Sequence, residues 1–163
     1  MHPENIRRHP PPATRQPPAA GPSAPLEVQP SPIHGRGVFA IADLKAGQNV
    51  GRYAGRRYPA GATRPDWDGK VTYLFLLSDG TLIDGARGGN LTRHINHACR
   101  PNVEAVEVRD ARGVLGIQVR TKRRIRRGEE LLLDYALDIP GDDPSNYRCR
   151  CGDKTCRGSL AAT

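Results

Sequence analysis

Aromatic side chains are scarce in this chain: two Phe, one Trp and five Tyr among 163 residues. A domain with so few large rings builds its core from aliphatic side chains, and at 37% hydrophobic content that core is small. No apolar run approaches the ~20 residues that a membrane-spanning helix needs, so no membrane partner is expected. The N-terminus, Met1-His2-Pro3-Glu4, lacks the apolar stretch of a secretory signal. A cytoplasmic protein (or a nuclear one, if eukaryotic) with reduced thiols is the expectation. Nothing longer than about ten residues keeps a helical period, which argues against a helix bundle. The net charge is +8, yet no RNA- or DNA-binding signature accompanies it. Its densest run, Arg120-Thr121-Lys122-Arg123-Arg124-Ile125-Arg126-Arg127-Gly128, reads as a strand end and turn with a solvated basic face.

What is present is glycine (18) and proline (15) in a chain of single-domain length, the composition of many short strands joined by turns. Residues 1–25 hold eight of the fifteen prolines and almost no large apolar side chains. Such a segment buries too little surface to offset its ordering entropy and is expected to be a disordered, mildly basic tail. The folded part is expected from Leu26. Gly35-Arg36-Gly37 leads into Val38-Phe39-Ala40-Ile41. Leu44-Lys45-Ala46-Gly47 leads into Val50-Gly51-Arg52-Tyr53, and the same design returns as Ile125-Arg126-Arg127-Gly128 before Glu130-Leu131-Leu132-Leu133. Ser78-Asp79-Gly80 and Asp110-Ala111-Arg112-Gly113 each sit between two apolar runs and predict hairpins. Residues 56–70, with Trp67, are polar and predict a loop or short helical insert.

The chemistry concentrates in two places. Gly89 to Asn102 packs a Gly-Asn turn, Asn96, His97 and Cys99 into one short segment. Cys149, Cys151 and Cys156 form a C-x-C-x4-C cluster with Gly152 to bend the loop. Three thiolates at that spacing suit tetrahedral zinc, and Cys99 is the one remaining cysteine that completes a four-thiolate set. His97 competes as a fourth ligand. A structural zinc bound this way would staple the tail onto the Asn96–Cys99 segment and help fold it.

These residues resemble, in order, the motifs of the SET-domain protein lysine methyltransferases with a post-SET zinc tail. Gly35-Arg36-Gly37 is similar to the opening glycine motif, and Tyr53-Ala54-Gly55 to its Tyr-x-Gly. Gly89 to Asn102 resembles Gly-Asn…Arg-Phe-Ile-Asn-His-Ser-Cys-x-Pro-Asn. Glu129-Glu130-Leu131 with Asp134-Tyr135 resembles Glu-Glu-Leu…Asp-Tyr. The resemblance implies a mainly β fold of several small curved sheets, a β-clip, with a C-terminal pseudoknot joining the Asn96-His97 segment to Tyr135. It divides the chain into the tail 1–25, a SET domain over 26–140 and a post-SET zinc-binding tail over 141–163.

The resemblance also implies S-adenosylmethionine as methyl donor and a lysine-containing protein, histone or another basic protein, as substrate. Tyr135 would orient the reacting groups, with Tyr53 and Tyr73 as channel walls. Gly35, Arg36 and Gly37 would bind the methionine moiety through backbone, Asn96 its amino end, and His97 and Leu160 the adenine. Cys99, Cys149, Cys151 and Cys156 would hold one zinc. Arg93 is read as structural. The chain departs from the pattern at His94, where Phe or Tyr is usual, at Ala98 in place of Ser, and at Leu133, where an aromatic often limits the number of methyl groups. Leu133 predicts a roomier pocket. Asp138, Asp142 and Asp143 are candidates to meet a basic peptide. The zinc cluster that some relatives carry upstream is not expected, and the composition fits a compact bacterial representative. The competing expectation is a catalytically silent module of the same fold that recognises basic tails or nucleic acid.

Overall fold

Short apolar runs punctuated by glycine turns form ten strands among the residues that the computed structural model describes, 24–62, 73–139, 141 and 143–162. They are β1 (Leu26–Pro30), β2 (Arg36–Ala40), β3 (Asn49–Arg52), β4 (Arg56–Tyr58), β5 (Leu74–Leu76), β6 (Leu82–Asp84), β7 (Asn96–His97), β8 (Val103–Arg109), β9 (Leu115–Thr121) and β10 (Glu130–Leu133). Single 3-10 turns cover Leu91–His94 and Pro144–Asn146. The strands make three small sheets, ordered β1-β2-β10-β7, β3-β9-β8 and β4-β6-β5. This is the mainly β architecture expected from the sequence. Both predicted hairpins form, β5–β6 and β8–β9. No helix among the described residues is long and apolar enough to cross a membrane. The segment 1–25 lies outside the described residues except for Ala24 and Pro25.

One expectation needs correction. Arg56–Tyr58 is neither loop nor helix but an edge strand, paired antiparallel with β6 from Arg56↔Asp84 to Tyr58↔Leu82. Its polar composition hid it, because an edge strand takes its pairing from a neighbour's backbone and buries little of its own. Trp67 and the rest of that segment lie outside the described residues.

The repeated corner turns out to be a matched pair. Leu44 and Ile125 bridge each other, with N–H···O distances of 2.8 and 3.0 Å. Gly47 N–H donates to Thr121 O at 2.8 Å, and its counterpart Gly128 N–H donates to Ala40 O at 2.7 Å. Both glycines hold positive φ, 72° and 84°, where a side chain would be strained. The amide of Lys45 is capped by Gln48 Oε1 and the amide of Arg126 by Glu129 Oε2. The two corners thus share their backbone bonds and this amide cap through a local two-fold. Leu44 and Ile125 are fully buried at its centre, and burial of each contributes about 1.5–3 kcal/mol. Val38, Val103, Val119 and Leu131 extend this aliphatic core.

The connection that positions the site is β10. It pairs antiparallel with β2 and, on its other edge, parallel with β7, at Leu132↔Asn96 and Leu133↔His97. Since β7 is only two residues long, Asn102 supplies the rest of the edge. Its Oδ1 accepts from Leu132 N–H at 2.7 Å, its Nδ2 donates to Glu130 O at 2.8 Å, and its own N–H donates to Leu132 O at 3.0 Å. Asn102 is 2% exposed, so its loss leaves the partner groups of β10 without water to replace it. Asn102→Ala is expected to destabilise the domain by about 2–4 kcal/mol, read as a lower urea midpoint at unchanged m-value.

Candidate active site and metal centre

The four cysteines of the chain meet. Their sulfurs all lie within 4.8 Å of one another, with Cys99 Sγ 3.6 Å from Cys149 Sγ and 3.7 Å from Cys156 Sγ. Tetrahedral zinc with Zn–S near 2.3 Å needs sulfurs about 3.8 Å apart, so the donor set and its spacing fit that ion. Backbone amides already face two of the sulfurs, Cys151 N–H to Cys149 Sγ at 3.4 Å and Gly158 N–H to Cys156 Sγ at 3.3 Å. Burial, with the crowding of neighbouring sulfurs, pushes the Cys149 thiol well up, which a bound cation would reverse.

His97 stands beside this set rather than in it. Its Nδ1 accepts from Tyr135 N–H at 3.1 Å, which places the ring proton on Nε2, 3.5 Å from Cys99 Sγ. The Asp134 carboxylate is 3.6 Å from the same Nδ1. We read this pair as uncharged on the histidine side, because Nδ1 is already an acceptor and burial lowers the His97 pKa. One neutral imidazole therefore links Cys99 to the backbone of Tyr135. A second link runs through Arg157, the residue after Cys156. Its guanidinium grips Asp134 with both forks, Nη1 to Oδ2 at 2.8 Å and Nη2 to Oδ1 at 2.5 Å, and holds that carboxyl below the usual range. Nothing in the spacing of Arg157 announced this role; its only signal was adjacency to Cys156.

On the same short strand as His97, Asn96 ties three segments together. Its Nδ2 lies 3.2 Å from His34 O, 3.0 Å from Arg36 O and 2.8 Å from Glu130 Oε1. Its donor capacity is spent, which leaves Oδ1 as the side-chain atom without a bond among the described residues. Glu130 also accepts from Ser31 Oγ at 3.0 Å. A Cβ on Gly37 would stand 2.0 Å from Glu130 Oε1 and drive the carboxylate off Asn96. The glycine motif, Asn96 and Glu130 form one network, in which Glu130 is a participant that the sequence showed only as part of a motif. Leu160 is half-buried; its N–H donates to Tyr147 O and its carbonyl accepts from Leu137 N–H at 3.0 Å, which fastens the tail beside the strand exit from Tyr135.

The three tyrosines converge. Tyr135 O–H donates to Ile95 O at 2.9 Å and its ring meets His97 edge-on at 5.4 Å. Tyr53 O–H donates to Tyr73 O at 2.7 Å and its ring packs on Phe75 at 4.6 Å. Burial, then the neighbouring Tyr73, pushes the Tyr135 phenol up to about 12, and burial, then Tyr135, pushes Tyr53 higher still, so both keep their protons at neutral pH. Arg93 does more than fill space: its guanidinium lies 5.8 Å from the Tyr73 ring centre, reaches Gly85 O, and donates through Nε to His94 Nε2 at 3.2 Å. His94 itself stands edge-on to Tyr73 at 6.3 Å. Leu133 is buried two residues before Tyr135. Asp138 is exposed, Asp143 caps the turn at Pro144–Asn146, and Asp142 lies outside the described residues.

The sequence that builds this arrangement matches a known family. Residues 35–136 match the SET domain. Over 136 residues the chain is 39% identical to human histone-lysine N-methyltransferase 2B, a stretch that covers 80% of this chain and 5% of that protein. It is 38% identical over 135 residues to histone-lysine N-methyltransferase trithorax of Drosophila melanogaster, covering 80% and 4%. It is 34% identical over 141 residues to the H3 lysine-4 specific histone-lysine N-methyltransferase of Mycosarcoma maydis, covering 83% and 10%. The chain therefore spans a tenth or less of the length of these relatives. With the match running from the glycine turn at Gly35 to the residue after Tyr135, through all three sheets, this chain belongs to the SET-domain family.

Proposed function

We propose that this chain transfers a methyl group from S-adenosylmethionine to the ε-amine of lysine in a protein substrate, a histone or other basic protein. The observation that carries this reading is that Tyr53, bonded to Tyr73, lies within electrostatic range of Tyr135 just after β10, while Glu130 at the start of β10 holds Asn96 beside the glycine turn. Membership of the SET family and the names of its relatives support it. In this reading residues 26–140 are the SET body and 141–163 a post-SET tail closed by one zinc on Cys99, Cys149, Cys151 and Cys156.

The cofactor, when bound, supplies an electrophilic methyl on a sulfonium. The chain's task is to bind it, admit a lysine and align the two. Asn96 Oδ1 would accept from the α-ammonium, with the backbone of Gly35, Arg36 and Gly37 around the methionine portion. The backbone of His97 and the side chain of Leu160 would flank the adenine. The nucleophile must be neutral, and at pH 7 removing the proton from free lysine costs about 4–5 kcal/mol. A channel walled by Tyr53, Tyr73 and Tyr135 reduces that cost, since it withholds water from an ammonium. Arg93, beside Tyr73, adds a positive charge that works in the same direction. Because Tyr135 gives its proton to Ile95 O, its oxygen presents lone pairs that can accept from the amine and steer it.

Tyr135→Phe is expected to lower the methyl-transfer rate by about 100-fold or more while zinc content stays put and the domain stays folded, as measured with radiolabelled cofactor on a panel of basic proteins. A silent module would show no transfer with or without this substitution. Cys99→Ser is expected to lose the single zinc by plasma emission and to weaken S-adenosylmethionine binding at least ~10-fold by calorimetry, although Cys99 touches no cofactor in this reading. The products of the unaltered chain under excess cofactor are expected to include di- or trimethyl-lysine, and Leu133→Tyr should shift the mass spectrum toward monomethyl-lysine.

A further inference from the structure

The local two-fold of the fold provides an internal comparison. The corner 40–48 and the corner 121–129 make the same turn with the same backbone bonds. Where the first carries Ala42, Asp43, Lys45 and Ala46, the second carries Arg123, Arg124, Arg126 and Arg127 at the equivalent positions. All eight residues are exposed. The first corner thus makes these backbone bonds without an arginine at any of the four positions.

These four arginines, with Gly128 and Glu129, line a cleft of about 670 Å³. Arg124 pairs with Asp43, and Arg123 pairs with Glu129 at 2.7 Å, which fixes two of the guanidinium groups. Arg126 and Arg127 make no side-chain hydrogen bond or ion pair among the described residues. With Lys122 alongside, five cationic side chains face two carboxylates, an excess of three positive charges. The lining contains no aromatic ring on which a base of a single strand would stack. It contains no apolar side chain to seat a hydrophobic peptide anchor. Planar guanidinium forks suit phosphate oxygens, and such contacts position a duplex without reading its bases.

We infer that the arginine corner 122–129 is a docking surface for the phosphate backbone of duplex DNA, sequence-independent and separate from the methyl-transfer site. It does not rest on the methylation reading. The two fit together, however: the excess positive charge repels a basic tail from this face, while a polyanion to which basic proteins adhere is attracted to it.

The test is fluorescence anisotropy of the full chain with a labelled duplex of about 20 base pairs, titrated between ~50 and 200 mM salt. Arg126→Glu/Arg127→Glu is compared with Arg56→Glu/Arg112→Glu, an equal charge change at exposed positions away from the cleft. The expected result is binding by the unaltered chain, a loss of about tenfold or more in the cleft variant, and a log–log salt slope shallower by about 2. The control variant should lose much less. Circular dichroism melting should not move for the cleft variant, and methyl transfer to a free basic peptide should be unchanged, which separates failure of this inference from failure of the catalytic reading. Equal losses in the two variants would reduce the effect to net charge and overturn the proposal. So would absence of duplex binding by the unaltered chain, or preferential arginine-dependent binding of a poly-glutamate peptide, which would assign the surface to an acidic protein instead.

Discussion

The carboxamide of Asn102 against β10 is the contact on which this molecule turns. A strand of four residues lies between an antiparallel partner and a parallel partner only two residues long. So short a parallel pairing cannot hold a strand, and Asn102 completes the edge with both ends of its side chain. Everything chemical then follows the placement of β10. Glu130 at its start meets Asn96 and the glycine turn, Leu133 at its end is buried, and Tyr135 emerges under Ile95 and His97.

The tail depends on the same exit. Asp134 and Tyr135 are joined to the cysteine cluster twice, by Arg157 on the carboxylate and by His97 on the backbone amide. A group that orders Cys99, Cys149, Cys151 and Cys156 thereby restrains the tyrosine without approaching it. The neutral state of His97 matters for this, since a proton on Nδ1 would remove the acceptor of the Tyr135 amide. Burial keeps that state favoured.

The sequence carried much of this in legible form. Hairpins at Ser78–Gly80 and Asp110–Gly113 follow from local turn chemistry, and the scarcity of aromatic residues translated directly into a core of Val, Leu and Ile. The C-x-C-x4-C spacing pointed to Cys99 because the count left no other cysteine. The edge strand at Arg56–Tyr58 was hidden, because its stability comes from β6 and not from its own composition. Glu130 and Arg157 were visible as residues but not as partners, since each acts on an atom that is distant in the chain.

By itself, the order of residues determined the class of fold, the turn positions and the inventory of reactive groups, because these rest on local propensity and on which side chains exist. Tertiary structure alone decided that the two similar corners are two-fold mates, that four arginines share one cleft, and that His97 lies beside the four cysteines with its proton turned toward Cys99. Those outcomes depend on which strands pair across long separations. A strand's own sequence does not specify the atoms that its neighbours present to it.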